Sequence, residues 1–138
     1  MSVVIDTCVW TRFLRRERRV EDPLAQEVAR LVRADVVRML GAIRQELLSG
    51  AKPQDRFDQL KQYLRFFPNI QLDEADDEKA AEYYNLCRNK GVRGTATDYL
   101  ICAVATRHRL RIFTTDTDFD NYATHIPIRL HRFAARAG

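Results

Sequence analysis

Cysteine is scarce in this chain of 138 residues: Cys8, Cys87 and Cys102 are odd in number and never form C-x-x-C. That argues against a disulfide miniprotein. With Cys102 inside an apolar run, the thiols point to a reducing, cytoplasmic setting. Glycine (5) and proline (4) are too few to mark a collagen repeat, a low-complexity linker or a second domain. Residues 1–138 therefore read as one domain, long enough to bury a single substantial core. No run approaches the roughly 20 apolar residues of a membrane span. The N-terminus carries no basic stretch followed by an apolar one, so no export signal is visible. Lysine is the rarest charged residue, 4 against 19 arginines, and with 19 acids the net charge is +4. Arginine holds phosphate through a planar fork of donors that lysine cannot offer. Arg12, Arg15, Arg16, Arg18 and Arg19 fall within eight residues, a cluster that fits either a solvated helix face or a nucleic-acid contact.

What is present is a globular pattern, 46% hydrophobic and 30% charged. Val3-Val4-Ile5 is a continuous β-branched run, the mark of a strand buried on both faces. Leu24, Val28, Leu31 and Val32 recur at helical spacing after Pro23, which suits a first helical turn. Val36 and Val37 suggest a second strand, and residues 40–49 a helix stopped by Gly50 and Pro53. Phe57, Leu60, Leu64 and Phe67 give another helix ended by Pro68. Residues 70–72 read as a third strand, and Ala80, Tyr83, Tyr84 and Cys87 as an amphipathic helix closed by Gly91. Residues 99–105 are apolar or aromatic throughout, so they form a helix buried all round, with Thr95 and Thr97 as candidate caps. Residues 111–115 and 128–130 complete the expected strands. Strands alternating with helices predict an α/β sandwich with a mostly parallel sheet, whose ligands gather outside the carboxyl ends of the strands.

Four acids stand where solvated surface acids are not expected. Asp6 follows the first strand, Asp116 follows the strand at 111–115, and Asp98 opens the buried helix. Glu46 lies near Met39, Ala42 and Ile43, on the side taken as apolar. Singly, each has a structural reading as a helix cap, a turn residue or an ion-pair partner. Together they repel: two carboxylates 4 Å apart cost roughly 4 kcal/mol at an effective dielectric of 20. A cluster of four must bind a cation or hold protons, and an all-oxygen set selects Mg²⁺ or Mn²⁺ over zinc. Competing chemistries are poorly supplied. His108, His125 and His131 lack metal-ligand spacing, there is no nucleophile elbow, and the loop at 89–97 is not a P-loop.

Val4-Ile5-Asp6-Thr7-Cys8-Val9-Trp10, Glu46-Leu47-Leu48-Ser49-Gly50, Thr97-Asp98-Tyr99-Leu100-Ile101-Cys102-Ala103-Val104-Ala105 and Thr114-Thr115-Asp116-Thr117-Asp118-Phe119 resemble, in this order, the four signatures of PIN-domain nucleases. The short length and the ending Ile128-Arg129-Leu130-His131 most resemble the VapC-type toxins of toxin–antitoxin pairs. The resemblance implies a three-layer α/β/α fold and an endoribonuclease dependent on Mg²⁺ or Mn²⁺. It maps the acidic quartet onto Asp6, Glu46, Asp98 and Asp116, with Thr115 as a supporting hydroxyl and Asp118 as a fifth acid. It also implies a VapB-like antitoxin, an RNA substrate and a homodimer. Arg12, Arg15 and Arg93 are the candidate contacts to RNA phosphates. The residues leave two other readings open: a housekeeping PIN-domain RNA-processing nuclease, and a non-catalytic RNA- or protein-binding PIN module.

Overall fold

A computed structural model describes residues 1–15 and 21–133, so Arg16, Arg18 and Arg19 of the basic cluster lie outside the described residues. The elements run β1 (Val3–Ile5), α1 (Thr7–Phe13), α2 (Pro23–Arg33), β2 (Val37–Arg38), α3 (Gly41–Leu48), α4 (Gln54–Leu64), α5 (Glu74–Asn89), α6 (Ala96–Arg107), β3 (Arg111–Phe113) and α7 (Asp118–Ala123). The sheet is parallel throughout with strand order β2-β1-β3. β1 is therefore central, and all three of its residues are buried, as a strand covered on both faces requires. Val3 pairs with Val37 on one side and Arg111 on the other, and Ile5 with Phe113. The chain leaves β1 toward β2 and then returns past it to β3. Right-handed crossovers in opposite directions place their helices on opposite faces, giving the expected sandwich. α5 and α6 pack together, and α6 lies on β3.

α6 is the apolar helix the sequence predicts. Tyr99 and Ile101 to Ala105 are all buried, and the Thr95 hydroxyl caps the helix. α5 begins well before its apolar period, because Asp73 and Asp76 form a reciprocal capping box and three acids occupy the first turn, where the helix dipole favours them. Pro23 opens α2 behind an Asp22 cap, as its position predicts.

Two expected strands do not form. Residues 70–72 form no strand: the single bridge lies just before them, between Met39 and Asn69, the Ile70 N–H donates to the Met39 carbonyl at 2.9 Å, and Leu72 is left 41% exposed. Residues 128–130 make one bridge, Leu130 to Ile112, although His131 N–H still donates to the Ile112 carbonyl at 2.7 Å. One rung does not propagate into a ladder. β2 also starts one residue later than expected. Among the described residues no helix is long and apolar enough to cross a membrane.

Candidate active site

The carboxyl end of the sheet collects the acids. The Asp6 N–H still donates to the Phe113 carbonyl at 2.9 Å, so this residue leaves β1 locked against β3. Its Oδ1 accepts from the Thr7 N–H at 2.8 Å, which makes Asp6 the N-cap of α1. Its Oδ2 accepts from the Thr114 hydroxyl at 2.8 Å and the Cys8 thiol at 3.5 Å. The same Thr114 hydroxyl accepts from the Asp116 N–H at 3.0 Å. One hydroxyl thus joins the two strand ends. The hydroxyl in contact with Asp6 and Asp116 is thus that of Thr114. Thr115, expected in that role, donates instead to the Cys8 sulfur at 3.3 Å and bonds to none of the acids. The β1–β3 register, which sets Ile5 beside Phe113, is the signal that places residue 114 next to Asp6.

Asp98 is the third residue of α6, and its own N–H is capped by Thr95 at 3.1 Å. The capping role thus belongs to Thr95, leaving the Asp98 carboxylate for other work. Its Oδ2 accepts from the Tyr122 hydroxyl at 2.7 Å. Burial raises the Asp98 pKa; hydrogen bonds to Tyr122 and Thr95 lower it, and the charges of Asp6 and Asp116 raise it again, for a net rise. Asp6 and Asp116 thus lie within electrostatic reach of Asp98. Tyr122, on α7, is fully buried, and Gly94 makes room for it: a Cβ there would collide with the Tyr122 hydroxyl and ring. Neither residue stood out in the sequence, because α7 itself had no visible apolar period.

Glu46 does not lie on the buried side of α3, as expected, but is exposed, with Oε2 accepting from the Thr7 hydroxyl at 2.6 Å. That bond ties it to the first turn of α1, next to Asp6. Arg44 takes the inward place instead. It reaches Asn69 Oδ1 and the Leu64 carbonyl at 2.9 Å each, and also the Phe67 carbonyl. A guanidinium with several fixed acceptors at the end of a neighbouring helix is satisfied there in a way a carboxylate would not be. Asp118 is exposed, and its N–H donates to Asp116 Oδ1 at 2.9 Å.

Among the described residues no Lys, Arg or His forms an ion pair with any of these five acids. No three acidic, histidine or cysteine side chains among the described residues are grouped closely enough to hold a metal ion by themselves. Of the basic candidates, Arg12 is already engaged: its Nε and Nη2 fork onto Asp22 at 2.9 and 2.8 Å. Arg15 is exposed just past α1, and Arg93 is exposed in the loop before Thr95.

Residues 3–124 match the family described as PIN domain. Ribonuclease VapC11 of Mycobacterium tuberculosis and VapC ribonuclease Mb1587 of Mycobacterium bovis are each 35% identical to this chain over 123 residues, covering 86% of it and 89% of their own length. The crystal structure of FitAcB from Neisseria gonorrhoeae has a TM-score of 0.76 at 20% identity, covering 94% of this chain and 96% of that one. VapBC2 from Rickettsia felis, bound to a DNA fragment from their promoter, has a TM-score of 0.78 at 14% identity, covering 97% and 100%. At such identities the solved structures establish the fold.

Proposed function

This chain belongs to the PIN-domain family, and from that premise we propose that it is a VapC-type endoribonuclease, the toxin of a toxin–antitoxin pair, which hydrolyses RNA phosphodiester bonds with a divalent cation. The observation that carries the reading is that Asp6 and Asp116 follow the ends of the neighbouring parallel strands β1 and β3, within electrostatic reach of Asp98 on α6, and that none of the three has a basic partner among the described residues. The donor set fits Mg²⁺ or Mn²⁺: carboxylates and hydroxyls, all hard oxygen ligands. Asp6, Asp98 and Asp116 would hold the ion. When bound, it lowers the pKa of a water and polarises a phosphoryl oxygen.

The remaining work falls to the chain. Thr114 fixes the Asp6 carboxylate and the Asp116 backbone in one hydrogen-bonded unit. Tyr122 holds one oxygen of Asp98 and leaves the other for the cluster. Glu46, exposed and anchored through a single oxygen, keeps its second oxygen to accept a proton from an attacking water. Arg15 and Arg93 are the candidates for positioning RNA phosphates. An acidic edge of this kind also suits an antitoxin whose Arg or Lys takes the place of the cation.

The test is cleavage of single-stranded RNA by the purified chain with Mn²⁺, with EDTA, and with Asp116→Asn, beside co-expression with the small gene next door. The expected results are metal-dependent cleavage lost in the variant, and growth arrest relieved by the partner. A wild-type chain that leaves RNA intact across metals and is harmless when expressed alone overturns the reading.

A further inference from the structure

Beside Gly94 lies a cavity of about 180 Å³ walled by Tyr84, Arg88, Val92, Arg93, Gly94 and Tyr99. We propose that this cavity is a nucleotide subsite, holding the RNA nucleotide next to the scissile phosphate; the proposal rests on the ribonuclease reading above. Its back wall is rigid. Tyr99 is buried and packs edge-on against Tyr84 with ring centroids 5.5 Å apart, and its hydroxyl donates to the Val92 carbonyl at 3.5 Å.

Arg88 is held against Tyr84, with Nη1 donating to the phenol oxygen at 3.0 Å and the guanidinium 6.0 Å from the ring centroid. Arg88 and Arg93 form no ion pair with a carboxylate among the described residues, in contrast to Arg12, Arg30, Arg107 and Arg132. The Arg88 guanidinium lies over the Tyr84 ring, and an unstacked base can stack on a guanidinium plane held by an aromatic ring, while a neighbouring arginine without an ion pair suits its phosphate. The volume is below that of sites for drug-sized ligands, so it admits a single base, with sugar and phosphate at its mouth, and not a duplex.

Position decides between a nucleotide and an acidic peptide. Gly94 is shared: it lines the cavity, and it also abuts the Tyr122 hydroxyl that holds Asp98. A nucleotide seated there is joined to Asp98 through only two residues, Gly94 and Tyr122, which places it beside the acids and not on a remote surface.

The test compares wild type with Tyr84→Leu, Tyr84→Phe, Arg88→Gln and Arg93→Gln. It measures KM and kcat for a single-stranded RNA, and its Kd by fluorescence anisotropy on an Asp116→Asn background across a salt series. Tyr84→Leu should weaken binding about tenfold, the loss of one stacked base, while Tyr84→Phe keeps the platform and most of the affinity. Each arginine variant should reduce the slope of log K against log salt by about one. The losses should fall mainly on KM. Arg88 is exposed, so Arg88→Gln keeps the test decisive should Tyr84→Leu melt early. Unchanged Kd, KM and slope in an active enzyme overturn the subsite. So do variants that bind RNA normally but lose an acidic antitoxin peptide, an outcome that assigns the cavity to a protein partner. Absence of wild-type cleavage is a separate result, and it refutes the ribonuclease reading instead.

Discussion

Replacing Gly94 by alanine sets two effects of opposite sign against each other. Its φ is outside the left-handed region, so alanine can adopt its backbone conformation, and the loss of unfolded-state freedom should stabilise by about 0.4–1 kcal/mol. Against this, the new Cβ collides with the Tyr122 hydroxyl and comes within 2.7 Å of the Tyr122 Cζ and 2.9 Å of the Tyr99 Cε2. Neither ring can yield. Both are essentially fully buried, they pack together at 5.0 Å, and Phe119 closes the other side of Tyr122 at 5.1 Å. Overpacking of this kind costs about 1–3 kcal/mol. Displacing the phenol also breaks its bond to Asp98, a further ~1.5 kcal/mol for a charged acceptor that regains some water. The clash wins, with a net loss of about 2 kcal/mol and a fall in Tm of about 6 °C for a domain of this size. Thermal melting of Gly94→Ala, Tyr122→Phe and the double variant measures it. Because Tyr122→Phe removes the atom that collides hardest, the double variant should melt higher than the sum of the single effects requires. A Gly94→Ala protein that melts at or above wild type refutes the reasoning.

Asp98→Asn should raise the metal-free Tm at pH 7. The folded pKa of Asp98 is raised by burial and then by Asp6 and Asp116, so its destabilisation is full above that raised pKa and vanishes below the ordinary carboxylate value. The gain should shrink as pH falls, and Mn²⁺ should stabilise the variant less than the ~2.7 kcal/mol expected for wild type at a hundred times Kd; an Asn variant that cuts RNA and responds to metal like wild type removes Asp98 from the site. Asp76 behaves oppositely. Burial raises its pKa, but the Asp73 backbone, Arg107 and His108 outweigh it and the net shift is downward. Asp76→Asn should therefore cost about 2 kcal/mol at pH 7, and the gap in Tm should close as pH falls through the lowered folded pKa, readable in an acid melting series. Arg12→Gln should cost under about 1 kcal/mol of stability, since its fork is on Asp22, and leave the salt slope of RNA binding unchanged. Arg15→Gln should lower that slope by about one with no change in Tm; the reverse pattern returns Arg12 to the RNA surface.

β1 and α6 were legible because burial on all sides leaves nothing but apolar residues, and composition alone reports that. Asp6 and Asp116 followed from them, since a residue just past a parallel strand has only one edge to occupy. α1 escaped notice because Thr7, Cys8, Val9 and Trp10 are poor helix formers. Packing of Val9, Trp10 and Phe13 holds that helix together, along with a cap from outside it. Thr114 and Tyr122 were invisible for a different reason. Each acts through a contact more than 20 positions away in the chain, and only the β1–β3 register and the placement of α7 create those contacts. Glu46 and Arg44 exchanged sides because three acceptors around the end of α4, none of them near in sequence, claim the guanidinium.

Asp6 answers to two constraints at once, since the carboxylate aimed at the acidic edge also starts α1. Chemistry and architecture thereby share a side chain, and the two demands tolerate different replacements. Asparagine satisfies the helix but not the ion, whereas alanine satisfies neither and loosens a helix of weak formers by about 1 kcal/mol. A descendant that had abandoned catalysis would still be held to Asp, Asn or Ser at this position, so an acid there is weaker testimony of activity than one at position 116. In the laboratory the same asymmetry means that Asp6→Ala confounds lost chemistry with a frayed fold. Asp116, whose carboxylate among the described residues accepts only the Asp118 amide from its own loop, makes the cleaner silent mutant.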